Sequence, residues 1–442
     1  MSDPTQKADP AVRIKPRDRD AILQALRAGV VPRLGLQHIQ VGRVREIEEM
    51  IRDVGRIGDG GSAIRFVIGE YGAGKTFFLN LVRLIALERR LVVVNADLAP
   101  DRRLHASGGQ ARNLYSELMR NLSTRTKPDG GALASIVERF IGDAHKAAKS
   151  SGREIAELIE ERLAPLQDLV AGFDFAAVLT AYWRASEAGS EAGKAAALRW
   201  LRAEYSTRTE ARQALGVRDI IDDASVYDYL KLLAKFVTLA GYDGLLVVFD
   251  EMVNLYKLTN AQARSANYEQ ILRILNDVLQ GSAANIGFLL GGTPEFLMDP
   301  RRGLYSYPAL QSRLAQNSFA QGGLVDLSGP VVRLQNLTPE DLYVLLLNLR
   351  RVHAGGDPAK FAVPDAALAA FMQHCATKIG DAYFRTPRNS VTAFINLLAI
   401  LDQNPGTAWE SLIGGVELAP ETVLSGQNSG ADEDDDLASF TL

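Results

Sequence analysis

Residues 63–82 read Ala-Ile-Arg-Phe-Val-Ile-Gly-Glu-Tyr-Gly-Ala-Gly-Lys-Thr-Phe-Phe-Leu-Asn-Leu-Val, and this stretch decides the fold. Ile64, Phe66, Val67 and Ile68 form a β-branched and aromatic run that suits a buried strand. Gly69-Glu70-Tyr71-Gly72-Ala73-Gly74-Lys75-Thr76 follows, a full match to the phosphate-binding loop G-x-x-x-x-G-K-[ST]. Phe77, Phe78, Leu81, Val82 and Ile85 then recur at helical spacing, so the loop runs into a helix N-terminus. Gly69, Gly72 and Gly74 are expected to give the backbone left-handed freedom, so that successive N–H groups face phosphate oxygens at the positive end of the helix. Lys75 would reach the β and γ phosphates of ATP, and the Thr76 hydroxyl would ligate Mg²⁺.

Working outward, further apolar runs read as parallel strands covered on both faces. They are Leu91-Val92-Val93-Val94-Asn95-Ala96-Asp97, Gly244-Leu245-Leu246-Val247-Val248-Phe249-Asp250-Glu251 and Asn285-Ile286-Gly287-Phe288-Leu289-Leu290-Gly291-Gly292-Thr293. The second ends in two carboxylates. Asp250 would hold Mg²⁺, directly or through water, and Glu251 would polarise the attacking water as general base. Thr293 ends the third, either touching the γ phosphate or capping the helix that begins at Pro294.

Helical segments separate and follow these strands. Residues 130–217 carry no strand signal and read as a helical insertion of Ala-, Glu- and Arg-rich helices, around 133–150, 153–170, 175–187 and 193–205. Their basic residues, among them Lys146, Lys149, Lys194, Arg199, Arg202, Arg208 and Arg212, alternate with acids, which suits a solvated face better than a nucleic-acid groove. From Val331 onward the chain is expected to stay helical. Arg313, read as lying in a compact apolar setting, is a candidate finger toward a neighbouring subunit's nucleotide, with a surface ion pair as the alternative. Thr386-Pro387-Arg388 opens a late helix with Thr386 as cap and Pro387 at its first position. Arg388 there opposes the helix dipole, so an anion such as a phosphate, or else a nearby acid, accounts for it.

The chain has 442 residues, 47% of them hydrophobic and 23% charged, enough for two or three domains of an ordinary globular protein. Its formal charge of −4 is outweighed by the five acids Asp432–Asp436, so the body is close to neutral and charge alone points to no nucleic acid. Cys375 is the lone cysteine, which excludes an internal disulfide and fits a reducing cytoplasm. No apolar leader or membrane-length window is visible. The expected divisions are 1–37 (N-terminal segment), 38–330 (α/β nucleotide-binding domain), 331–425 (helical lid and C-terminal region) and 426–442 (disordered acidic tail).

The ordered set resembles the AAA+ ATPases, within them the Orc/Cdc6-like initiator and helicase-loader branch. Gly42-Arg43 resembles the adenine-flanking box and Gly69–Thr76 the Walker A motif. Asp250-Glu251 resembles Walker B, Thr293 sensor 1, Arg313 the arginine finger and Arg388 sensor 2. That resemblance implies a P-loop NTPase (AAA+) parallel sheet flanked by helices, a C-terminal all-α lid, and nucleotide contacts from Gly42, Arg43 and Gly69 to Phe77 (Glu70, Tyr71 and Ala73 included). A closer resemblance is to the ATP-binding proteins of bacteriophage-exclusion (BREX) systems, the BrxC/BrxD family. It rests on Ala25-Leu26-Arg27-Ala28-Gly29-Val30-Val31-Pro32, Gly69–Phe77, Asp97-Leu98-Ala99-Pro100-Asp101-Arg102-Arg103-Leu104 and Gly291-Gly292-Thr293-Pro294-Glu295. It implies a cytoplasmic anti-phage role, with no membrane, beside a helicase or other defence-system proteins.

Two classes of function are compatible with this pattern. One is an ATP-hydrolysing switch, homo-oligomeric, assembling on double- or single-stranded DNA or on a helicase. The other is a non-hydrolysing, ATP-gated scaffold that recruits an effector. A stand-alone helicase fits less well, because Asp250-Glu251-Met252-Val253 is not a DExH-type box and no second motor-like domain is visible. A GTPase lacks its Asn-Lys-x-Asp guanine-reading segment.

Overall fold

In the computed structural model, which describes residues 13–320, 325–379 and 387–414, the strand ahead of the glycine loop is β1, Ser62–Ile68. The other strands are β2 (Val92–Asp97), β3 (Leu245–Asp250), β4 (Ile286–Gly292) and β5 (Val331–Arg333). All pairings are parallel and the order is β2-β3-β4-β1-β5. Parallel strands require crossovers, and helix Lys75–Glu88 supplies the one from β1 to β2 and helix Ala261–Leu279 the one from β3 to its neighbour β4. The register sets Ile68 opposite Gly292 and Asp97 opposite Asp250, so the loops that leave β1, β2, β3 and β4 emerge at one end of the sheet. Because β4 lies between β1 and β3, Thr293 enters between the glycine loop and the Asp250-Glu251 pair.

Both faces of the sheet are covered, which is why its strands read as unbroken apolar runs. On one face Phe66, Val94, Val247 and Phe288 join a core that includes Tyr115, Phe140, Phe175, Trp200 and Phe236. Residues 130–217 belong to that core: helices Leu133–Ser151, Ile155–Gln167, Gly172–Glu187, Glu191–Leu201 and Arg208–Leu215 bury their apolar sides there, with Phe140 edge-on to Phe236 at 5.6 Å. Several of the basic residues on this array are matched by acids. Lys146 pairs with Asp143, Lys194 with Glu191, Arg199 with Glu210 and Arg208 with Asp219, a pattern of a solvated face.

On the opposite face Val67, Val93, Leu246 and Leu289 meet Met50, Val54 and Ile57 of helix Val44–Gly58 and Phe78 and Val82 of helix Lys75–Glu88. Arg65 of β1 is buried here. Its Nε lies 2.5 Å from Asp53 Oδ2, and its Nη1 donates to the carbonyls of Leu327 (2.6 Å) and Gly329. These bonds lead the chain into β5, which extends the sheet past residue 330 and corrects the expectation of helix from Val331 onward. Phe66 N–H donates to the Pro330 carbonyl at 2.7 Å and Leu334 N–H to that of Ile68 at 2.7 Å. A three-residue edge strand with only Val332 fully buried is too short to leave an alternating signal.

By compactness the chain divides into Val31–Asp341 and a second unit drawn from Met1–Val30 and Leu342–Leu442. The second unit is therefore built from both ends of the chain, where the sequence suggested a separate segment 1–37 and a region 331–425. Helix Pro16–Arg27 packs with helix Pro387–Gln403, and the Thr392 hydroxyl donates to the Leu26 carbonyl at 2.9 Å. Phe371 of helix Asp365–Ile379 faces Phe394 at 5.4 Å. The Thr386 cap and the acidic tail lie outside the described residues. Among the described residues no helix is long and apolar enough to cross a membrane.

Candidate nucleotide site

Gly72 (φ +83°) and Gly74 (φ +77°) occupy the left-handed region, as the pattern requires. Gly69 does not, and a different constraint fixes it. A Cβ there would come within 3.1 Å of Ala73 Cβ and 3.2 Å of the Leu334 carbonyl oxygen. The loop closes with Ala73 N–H donating to the Glu70 carbonyl at 3.1 Å, and its base is held by Gly69 N–H donating to Gly292 at 3.2 Å. The amides of Gly74, Lys75 and Thr76, the first donors of the helix, and that of Gly72 before it have no backbone acceptor among the described residues. Glu70 and Tyr71 are exposed at the loop tip, whereas Ala73 is buried and Phe77 half-buried behind it.

Lys75 Nζ donates to the Gly69 and Glu70 carbonyls, each at 2.9 Å. Burial pulls its pKa down, opposed by the charges of Asp250, Glu251, Glu70 and Glu295. The Thr76 hydroxyl donates to Asp250 Oδ2 at 2.7 Å, joining the loop to the end of β3. Asp250 is buried, and its Oδ1 accepts the Glu251 N–H at 2.8 Å. That bond accompanies an unusual backbone: Glu251 is a non-glycine residue at φ 57°. Loss of hydration, then the charges of Asp250 and Asp97, push the Glu251 carboxyl up, with Lys75 and Lys257 opposing.

Space for the Asp250 carboxylate comes from Gly291. A Cβ there would sit 2.5 Å from Asp250 Oδ1 and 2.8 Å from Leu79 Cδ1. Gly291→Ala is expected to displace the carboxylate and weaken magnesium-dependent ATP binding about tenfold, a change of ~1.4 kcal/mol, while metal-free ATP binding stays as in the parent chain. Equal loss with and without magnesium, in titrations of both proteins, would mean that Gly291 serves only the folding of β4.

Among the described residues no group of three or more His, Cys, Asp or Glu forms a metal cage. A hydroxyl and one buried carboxylate in contact do fit Mg²⁺, which keeps waters and takes phosphate oxygens alongside one or two protein ligands. Asp97, opposite Asp250 in the register, is a neighbour that the motif reading missed. Loss of hydration and then Asp250 push its carboxyl up, while Arg102 lowers it. The signal was present in the sequence, because β2 also ends in an acid.

The remaining candidates are placed unevenly. Thr293 is the N-cap of helix Pro294–Met298, its hydroxyl accepting Phe296 N–H at 3.4 Å, so the capping alternative describes the geometry found. Arg43 Nη2 donates to the Ala73 carbonyl inside the loop, and Gly42 precedes it at φ +60°. Arg313, near the end of helix Pro308–Leu314, is exposed. It donates back to the Ala309 carbonyl at 2.8 Å and forms no ion pair among the described residues, so neither the compact apolar setting nor the surface ion pair describes it. Arg388 is exposed in the first turn of helix Pro387–Gln403, within the second unit, where its side chain lies against Gly29.

A parallel sheet whose first strand runs through this loop into a helix, with the loop threonine bonded to an acid on a non-adjacent strand, defines an α/β protein of the P-loop nucleotide-binding kind. Comparison with protein families narrows this. The model for the BREX system ATP-binding protein BrxC/D matches residues 14–417, and the chain belongs to that family of ATP-binding phage-defence proteins. No curated protein matches the chain.

Proposed function

We propose that the protein is an AAA+ ATPase that binds MgATP at the glycine loop and hydrolyses it to drive conformational switching or assembly within the BREX system. The observation that carries this reading is the Thr76–Asp250 hydrogen bond, with Glu251 next in the chain. Lys75 would exchange its two loop carbonyls for the β and γ phosphates, joined by the amides of Gly72, Gly74, Lys75 and Thr76. Thr76 and Asp250 would hold Mg²⁺, whose charge offsets that of the triphosphate. Glu251, a carboxylate with a raised pKa, takes a proton from water as the water oxygen bonds to the γ phosphorus. The bond from that phosphorus to the bridging oxygen breaks, and ADP and phosphate leave. The Thr293 hydroxyl accepts its capping bond through oxygen, so its proton is available to a γ-phosphate oxygen.

Arg313 is the finger we assign to a neighbouring copy, supported by its exposure and by its lack of an ion pair among the described residues. For Arg388 the support is the resemblance of its position to sensor 2. The matched charges of residues 130–217 favour a helicase or another defence-system protein as the partner over a direct DNA groove on that surface. ATP turnover measured with and without DNA, alongside mass in ATP, tests the whole reading. A sharper test mixes two inactive variants. Arg313→Ala and Lys75→Ala should each lose turnover alone and recover part of it together, since the mixed assembly pairs an intact loop with an intact finger. No recovery, or normal turnover in Arg313→Ala, counts against a finger acting between subunits.

A further inference from the structure

The resemblance places Gly42-Arg43 beside the adenine, but the bonds around Arg43 run elsewhere. We infer that Arg43 is a positioning residue, whose guanidinium sets the Ala73–Gly74 peptide of the phosphate loop and ties it to the returning chain at Gln335. This rests on the nucleotide reading above and deepens it.

The backbone is bent to deliver this side chain. Gly42 (φ +60°) and Arg43 (φ +59°) are both left-handed, a conformation uncommon for an arginine. The turn is closed by a third element, because a Cβ on Gly42 would lie 3.0 Å from Asp341 Oδ1. From there Arg43 Nη2 donates to the Ala73 carbonyl and, at 3.3 Å, to the Gln335 carbonyl. The guanidinium lies against the bare Cα of Gly74, its terminal nitrogens 3.4 and 3.6 Å from where a Cβ would stand. Burial lowers the Arg43 pKa, and Glu46 and Asp341 oppose that shift, so the charge is kept at a half-buried position.

Peptide planarity turns this contact into control of the loop. In a trans peptide the C=O and the following N–H point in opposite directions. Holding the Ala73 carbonyl on Arg43 therefore aims the Gly74 N–H away from Arg43, and no backbone acceptor among the described residues takes it. That amide is one of those assigned above to phosphate. The other end of the link is Gln335, shortly before the chain passes into the helical unit at Leu342. One side chain thus connects the phosphate-binding peptide to the exit of the nucleotide unit.

The test titrates MgATP, MgGTP and inorganic tripolyphosphate with magnesium into the full-length chain, its Arg43→Ala variant and its Arg43→Lys variant. Arg43→Ala is expected to weaken ATP and tripolyphosphate by the same factor, about tenfold for a lost charged hydrogen bond, with the ATP-to-GTP ratio unchanged. Arg43→Lys should fall between, since an ammonium lacks the fork that reaches two carbonyls. Weakened ATP with unchanged tripolyphosphate would assign Arg43 to the base and overturn the inference, as would unchanged binding of all three. If Arg43→Ala does not fold, Arg43→Lys decides alone, and parental tripolyphosphate affinity in it overturns the inference. Failure of the parent chain to bind any of the three removes the nucleotide reading itself and this inference with it.

Discussion

Lys75→Ala is expected to weaken MgATP binding by roughly tenfold to a hundredfold in an equilibrium titration. The range follows from losing a charge-assisted hydrogen bond, worth ~1.5–3 kcal/mol. The pH dependence carries an added sign. Burial lowers the Lys75 pKa, so on alkaline titration its proton leaves below the ordinary value of 10.5, and ATP affinity should fall along with it. Folding stability should move the other way. The unfolded chain holds that proton more tightly than the folded one, so stability gains from Lys75 as pH rises through the lowered pKa toward 10.5. Affinity and stability diverging over one alkaline window, and doing so only while Lys75 is present, would be a signature of this amine. Unchanged affinity in Lys75→Ala would remove the lysine from the site.

Glu251→Gln should bind MgATP as the parent does and lose turnover by about 10²–10⁴, the usual contribution of a positioned general base. The raised pKa of Glu251 places the acid limb of the parent's turnover above the ordinary glutamate value of 4.5, because the base is lost as pH falls through it. That limb should be absent from the residual activity of Glu251→Gln. Parental turnover in the variant would dismiss Glu251, and Asp97, at the neighbouring strand end with its own raised pKa, would be the next carboxylate to examine.

Much of the nucleotide unit was legible in the sequence because its elements carry local signals. The loop pattern identified Gly72 and Gly74, and the apolar runs ending in Asp97, Asp250 and Thr293 gave three strands whose ends emerge together. Contacts between distant segments left no such trace. The strand order, with β4 between β1 and β3, depends on pairing across the chain. So do the Arg65–Asp53 pair, the Arg65 bonds to Leu327 and Gly329 that lead the chain into β5, and the closeness of Asp341 to Gly42. Helix Ala261–Leu279 also carries a local signal, Tyr268, Ile271, Leu275 and Val278 at helical spacing. Arg313 marks the opposite case. A helix flanked by buried Leu310 and Leu314 suggested an enclosed arginine, yet a residue between two buried neighbours on a helix can point outward, and this one does. Arg43 divides between the two, its Gly-Arg turn visible in the chain and its bond to Ala73 visible only in three dimensions.

Lys75, the loop amides and the Thr76–Asp250 pair together are expected to hold one magnesium nucleotide. Calorimetric titration of MgATP into the purified, folded chain tests it most directly. The expected result is saturable binding of one ATP per chain that weakens when magnesium is chelated. A folded, magnesium-replete chain that takes up no ATP would contradict it.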